Sequence, residues 1–180
     1  GNMFKSEWFS NRMLNLSRNK DIEIANDLRS RIVKTIRFWD LAATEDTGKN
    51  DPDYTVGIKV SLTSDNLILV SDMVRFRESP AETKRLIKKS VVSDGIEIEQ
   101  VFERQPAAAG KYFEDEIARI LIGFKTRFKA PDRGTKTESG KIVGAKPLSS
   151  AFENGLVYLL EDNYEINDLV NELIIFPQKG

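Results

Sequence analysis

Arg37-Phe38-Trp39-Asp40-Leu41-Ala42 closes a run rich in β-branched and aromatic residues that begins at Arg31, and it sets one carboxylate among bulky side chains. Period-2 counting makes Arg31 to Leu41 a strand with Ile32, Ile36, Phe38 and Asp40 on one face. The Gly, Asn, Asp and Pro content of 43–52 makes that segment a loop. A second strand follows from Tyr54 to Leu62, where Tyr54, Val56, Ile58 and Val60 alternate with Thr55, Gly57 and Lys59. Ser64-Asp65-Asn66 turns the chain into a third strand, Leu67 to Met73. Three strands with short connections predict an antiparallel meander.

Beyond it the period changes. Ser79-Pro80-Ala81-Glu82 is a capping box with Pro at the first helical position, and Leu86, Ile87 and Val91 form the apolar stripe of a helix that stops at Ser93-Asp94-Gly95. A strand from Ile96 to Phe102 leads into Glu103-Arg104-Gln105-Pro106. Next come a helix from about Gly110 to Ile122, stopped by Gly123, and a strand from Phe124 to Ala130. Pro131 to Gly140 reads as a loop, Pro147 to Glu153 as a short helix, Leu156 to Leu160 as an apolar run, and Glu165 to Ile174 as a last helix.

The predicted fold class is α/β and RNase H-like: a mixed central sheet, built of a three-stranded antiparallel meander followed by parallel strands, flanked by helices. Residues 31–180 are expected to form that one domain, and residues 1–30 a lead-in or linker. Phe4, Trp8 and Phe9 suit a short helix docked on the domain, an approach from an upstream domain, or a partly ordered terminus. The opening Gly1-Asn2-Met3 is that expected of a piece cut from a longer protein, with Gly1 left by tag removal.

Composition narrows the chemistry. With 40% hydrophobic and 31% charged residues the chain has a globular balance, no apolar run reaches the roughly 18 residues of a membrane span, and no apolar signal segment opens it. The chain has no His and no Cys, which excludes Ser-His-Asp and Cys-His nucleophile systems, thiolate chemistry and every His/Cys zinc site. Carboxylates, Lys, Arg and hydroxyls remain, and carboxylates suit hard cations such as Mg²⁺ and Mn²⁺. A net charge of −1 gives the whole molecule no field toward nucleic acid, so any DNA binding is local.

A right-handed crossover from the meander through the capped helix brings the Ile96–Phe102 strand parallel to the first strand. Asp40 and Glu103 then end neighbouring strands about 4.8 Å apart, where open α/β sheets bind ligands. Two such carboxylates support metal-assisted phosphodiester hydrolysis by a two-metal site with ions roughly 4 Å apart.

Four motifs carry a resemblance: Arg37-Phe38-Trp39-Asp40-Leu41-Ala42; Asp53-Tyr54-Thr55-Val56-Gly57; Glu103-Arg104-Gln105-Pro106-Ala107-Ala108-Ala109-Gly110-Lys111; and Glu172-Leu173 with Phe176-Pro177. From about Arg37 to its end the chain resembles the C-terminal nuclease domain of tailed-phage terminase large subunits. The resemblance implies an RNase H-like endonuclease that cuts concatemeric viral double-stranded DNA with Mg²⁺ or Mn²⁺ during packaging in the cytoplasm of a bacterial host, as a phage or prophage protein. It further implies an upstream ATPase domain in the same chain, and a portal protein and small terminase subunit as partners. Asp40 and Glu103 match the family's first and second metal-binding acids. Family members usually place an Asp-Asp pair, which supplies a third ligand, a few residues after the Phe-Pro segment, and this sequence stops before any such pair. The expectation is weak metal binding and low activity unless Asp46, Asp53 or another acid substitutes.

Other signals have two readings. Asp46, Asp51 and Asp53 suit metal binding, but turn-making and loop solvation account for them more readily; Asp53, inside a family-like motif, is the best of the three. Ala109-Gly110-Lys111 lacks the first Gly and the Ser/Thr of a nucleotide-binding loop, so Lys111 is a candidate for a DNA phosphate or a plain exposed Lys. Lys125, Arg127 and Lys129 share one strand face and, with Arg133 and Lys136, form the best local DNA-backbone candidate; lysines also guard edge strands. Lys84, Arg85, Lys88 and Lys89 read as a solvated helix face, and Trp39 as core. The rivals to a terminase nuclease are another RNase H-like enzyme of resolvase, integrase or transposase type, and a non-catalytic fragment that binds DNA or docks on the portal.

Overall fold

The alternation along Arg31 to Leu41 does produce a strand, but its buried face is the one that carries Arg37, Trp39 and Leu41, while Ile36 and Phe38 are half-buried and Asp40 is exposed. The computed structural model describes residues 2–42, 54–105, 108–136 and 140–177. Its seven strands are β1 (Met13–Leu14), β2 (Ile32–Asp40), β3 (Thr55–Thr63), β4 (Ile68–Phe76), β5 (Glu99–Glu103), β6 (Thr126–Lys129) and β7 (Val157–Leu160). Its helices are α1 (Asn19–Ser30), α2 (Pro80–Asp94), α3 (Ala108–Ile120), α4 (Gly140–Glu153) and α5 (Tyr164–Ile174).

The strands make one mixed sheet in the order β1-β7-β4-β3-β2-β5-β6. The β2-β3-β4 meander is its antiparallel part, and β2–β5, β5–β6, β4–β7 and β1–β7 are parallel pairs. This is the predicted RNase H-like class. The capping box forms as read: the Ser79 hydroxyl accepts the Glu82 N–H, and Pro80 opens α2.

The chain divides into two compact units. One comprises Thr35–Lys59 and Met73–Pro131. Its apolar core joins Trp39, Leu41 and Phe102 to Ile87 and Val91 of α2 and to Phe113, Ile117 and Leu121 of α3 and its end, with Val74, Phe76 and Phe128 against them. The indole of Trp39 stacks on Phe102 at 5.8 Å, and Phe102 on Phe128 at 5.5 Å. The other unit comprises Gly1–Lys34, Val60–Asp72 and Asp132–Gly180. There Leu14, Ala25, Leu28, Leu69 and Leu160 form the core, and Phe4 and Phe9 both pack on Phe152. Residues 2–30 therefore dock: they supply the parallel partner of β7 and a helix with buried Ala25 and Leu28.

Three boundaries differ from expectation by three residues or more, and one is the end of β4, which runs on to Phe76 instead of stopping at Met73. α4 begins at Gly140, not Pro147, because Pro147 lies inside the helix, where its missing N–H forfeits one i→i−4 bond without ending it. β5 begins at Glu99, not Ile96, since 96–98 leave α2 through a turn in which Ile96 is largely exposed.

Candidate metal centre

β2 and β5 run parallel, with Arg37 opposite Gln100, Phe38 opposite Val101 and Trp39 opposite Phe102. One residue further along each strand stand Asp40 and Glu103, so the two acids end adjacent strands on the same face. Asp40 is exposed and Glu103 half-buried. The next strand outward places Lys129 opposite Glu103.

The family-like motifs hold these two strand ends together. The Gln105 side chain donates to the Leu41 carbonyl at 3.0 Å, tying the turn after Glu103 to the residue after Asp40. On the other side of β2, the Ala42 N–H donates to the Thr55 hydroxyl at 3.1 Å. Two glycines make room for these contacts. A Cβ on Gly110 would stand 2.5 Å from the Gln105 Cβ and 3.0 Å from its carbonyl oxygen, and a Cβ on Gly57 would stand 2.6 Å from the Trp39 ring.

Behind the acids lies a buried polar network. Arg37, 3% exposed, forks onto Asp94, with Nε to Oδ2 at 2.7 Å and Nη2 to Oδ1 at 2.8 Å, and its Nη1 donates to the Gly57 carbonyl at 3.0 Å. Gln100 donates to Asp94 at 2.9 Å and accepts the Trp39 indole N–H at 2.7 Å; Lys59 Nζ stands 3.5 Å from Asp94. Burial alone would push the Asp94 carboxyl up. Hydrogen bonds from Arg37 and Gln100, with the charges of Arg37 and Lys59, outweigh burial and hold the carboxyl below its ordinary value. Sequence reading had taken Asp94 only for a helix stop. The available signal was an acid in the last turn of a helix, where the dipole disfavours it, together with an Arg on the Trp39 side of a core strand.

The expected DNA contacts fall in both compact units. Lys111 is exposed on α3, while Lys125 and Arg127 are exposed but pair with Glu97 and Glu99 at 3.3 and 3.2 Å. β6 is an edge strand, which suits the guarding role as well. Lys129, at the end of β6, stands opposite Glu103 in register. Arg133 and Lys136 are exposed and belong to the other compact unit. Lys84, read as solvated, pairs with Glu116 of α3 at 3.0 Å. Asp46, Asp51 and Asp53 lie outside the described residues. Among the described residues no group of three or more acids is placed to hold a metal ion. Among the described residues the candidate donors are Asp40 and Glu103, whose hard oxygens suit a hard divalent cation. Sequence reading also missed a cluster in which the Arg75 and Arg77 guanidinium groups lie over the Tyr54 ring.

A mixed sheet in this order, with paired carboxylates ending its adjacent parallel strands, is the arrangement of an RNase H-like domain. Residues 37–180 match the terminase RNase H-like domain family, and the chain belongs to it. The fold is similar to the nuclease domain of the P22 large terminase, with TM-score 0.56 and 12% identity over 77% of this chain and 66% of that one. The large terminase nuclease from thermophilic phage G20c aligns with TM-score 0.40 and 18% identity over 79% of this chain and 68% of that one. No curated protein matches the chain.

The clasp at Gln105 is open to a direct check. Gly110→Ala forces its new methyl against Gln105 and should cost about 1–3 kcal/mol by overpacking. Displacing the Glu103 turn should also slow any cleavage by roughly tenfold or more, since a misplacement of about 1 Å costs up to about a hundredfold. Thermal melting and plasmid nicking measured on the same preparation read both effects.

Proposed function

We propose that the chain is the metal-dependent endonuclease domain of a phage terminase large subunit, hydrolysing phosphodiester bonds of concatemeric double-stranded viral DNA during genome packaging in the bacterial host. The observation that carries this reading is the register that brings Asp40 and Glu103 to the ends of adjacent parallel strands. Asp40 and Glu103 would hold Mg²⁺ or Mn²⁺ in a two-metal site. When bound, such ions activate the attacking water and neutralise the leaving oxygen. Asp40, exposed, meets the substrate; Gln105 and Thr55 keep the strand ends in position; Lys129 contributes positive charge beside Glu103 for a backbone phosphate. An upstream ATPase domain, the portal protein and the small terminase subunit are the partners that family membership suggests.

A second reading, a domain that binds DNA or docks on the portal without cutting it, is favoured by one observation: among the described residues no three acids cluster. Supercoiled plasmid incubated with the chain in Mg²⁺ or Mn²⁺ separates the two. Nicked and then linear products that vanish on adding EDTA are expected for the nuclease. Intact plasmid in both metals would favour docking, and cutting confined to four-way junctions would point to a resolvase.

A further inference from the structure

Asp40 and Glu103 stand one residue past the paired part of their strands, whose register runs from Ile36 opposite Glu99 to Trp39 opposite Phe102. Backbone pairing fixes register in whole residues, whereas the ligands of a shared cation must be held to within about 0.5 Å. Side chains supply that finer control, and two glutamines bridge β2 and β5 on either side of the acids. Beyond them the Gln105 amide reaches the Leu41 carbonyl at 3.0 Å. Before them Gln100 accepts the indole N–H of Trp39, the residue next to Asp40, at 2.7 Å.

Gln100 is fully buried, and an amide destabilises a core unless both of its ends are bonded. Its carbonyl end takes the Trp39 N–H, and its amino end donates to Asp94 Oδ2 at 2.9 Å. Asp94, the last residue of α2, is also held by the Arg37 fork and stands 3.5 Å from Lys59 Nζ. One carboxylate on a helix thus gathers side chains from β2, β3 and β5, three neighbouring strands of the sheet. An apolar residue of the same length would fill the space of Gln100, but only an amide joins the indole to that carboxylate. The indole is confined on its other sides. Phe102 stacks on it at 5.8 Å with ring planes 6° apart, and a Cβ on Gly57 would stand 2.6 Å from it.

We propose that Gln100 is a positioning residue for the paired acids: through the Trp39 indole and Asp94 it sets the spacing between the ends of β2 and β5, and with it the affinity of Asp40 and Glu103 for a divalent cation. This rests on the metal-dependent nuclease reading. Gln100 acts through Trp39, whose main chain leads straight into Asp40, and along its own strand, which ends at Glu103.

The test is Mn²⁺ binding by the whole chain, read from the electron paramagnetic resonance signal of the free ion at a temperature where each variant is folded by circular dichroism. Gln100→Met keeps the length of the side chain and removes both of its hydrogen bonds. It should raise the Mn²⁺ dissociation constant about tenfold, the lower end of the range for groups that support metal ligands. Ile117→Val trims the same apolar core without touching the amide and should leave the constant unchanged, which separates positioning from a general loss of packing. If Gln100→Met is not folded, Trp39→Phe removes the indole N–H and carries the same expected change. A folded Gln100→Met that binds Mn²⁺ as tightly as a saturably binding wild type overturns the positioning role and leaves the metal reading standing. Equal weakening in Gln100→Met and Ile117→Val overturns it too, because packing alone then accounts for both. A wild type without saturable Mn²⁺ binding overturns the positioning role and the metal reading together.

Discussion

Asp40→Asn is expected to lower Mn²⁺-dependent plasmid nicking by at least about a hundredfold, because loss of groups that merely support a metal ligand already costs 10–100-fold and Asp40 is proposed as a ligand itself. The same substitution should cost at most about 1 kcal/mol of stability, since the side chain is exposed at a strand end and lies outside the Trp39 core. Activity and stability therefore separate at this position. Glu103→Gln should behave alike in activity. The double variant should be little worse than either single one, because two ligands of one site act as a unit. A parallel fall in the urea midpoint and in nicking would mean that Asp40 acts through the fold.

The converse separation is expected at Asp94. Asp94→Asn leaves the Arg37 guanidinium buried beside Gly57 and near Lys59 without its counter-charge, and breaking one side of a buried pair costs about 3–5 kcal/mol. Urea unfolding at neutral pH reads that loss. The pH dependence gives it a signature. Asp94 has a folded-state value below its unfolded value of about 3.9, so the stability it contributes is present above that pH and disappears as pH falls through the folded value. The wild-type midpoint should decline in that acidic window, and Asp94→Asn should flatten the decline. An Asp94→Asn variant as stable as wild type at neutral pH would show that the network is not what supports the strands behind the acids.

Local pattern reached much of this architecture. Alternation found the strands of the meander, and Ser79 with Glu82 marked the start of α2, because both signals are written within a few residues of chain. Asp40 and Glu103 were paired from topology alone, and the observed register agrees. The missing pieces are long-range or short. Arg37 and Asp94 lie 57 residues apart, and no local period announces an ion pair between a strand and a helix end. β1 is two residues long, too short to show any period, so the first thirty residues did not read as part of the sheet. Pro147 read as a first-turn residue because Pro most often stands there, yet it lies within α4. Tyr54 stands in a motif that carries the resemblance, but Arg75 and Arg77 look unremarkable in sequence, and the three meet only after β4 folds back beside β3.

The most direct measurement is Mn²⁺ binding followed by the electron paramagnetic resonance signal of the free ion, on wild type and on Asp40→Asn/Glu103→Gln. If the paired strand ends form the metal site, wild type depletes the free signal in a saturable way and the double variant, folded by circular dichroism, does not. Equal depletion by both proteins would contradict it.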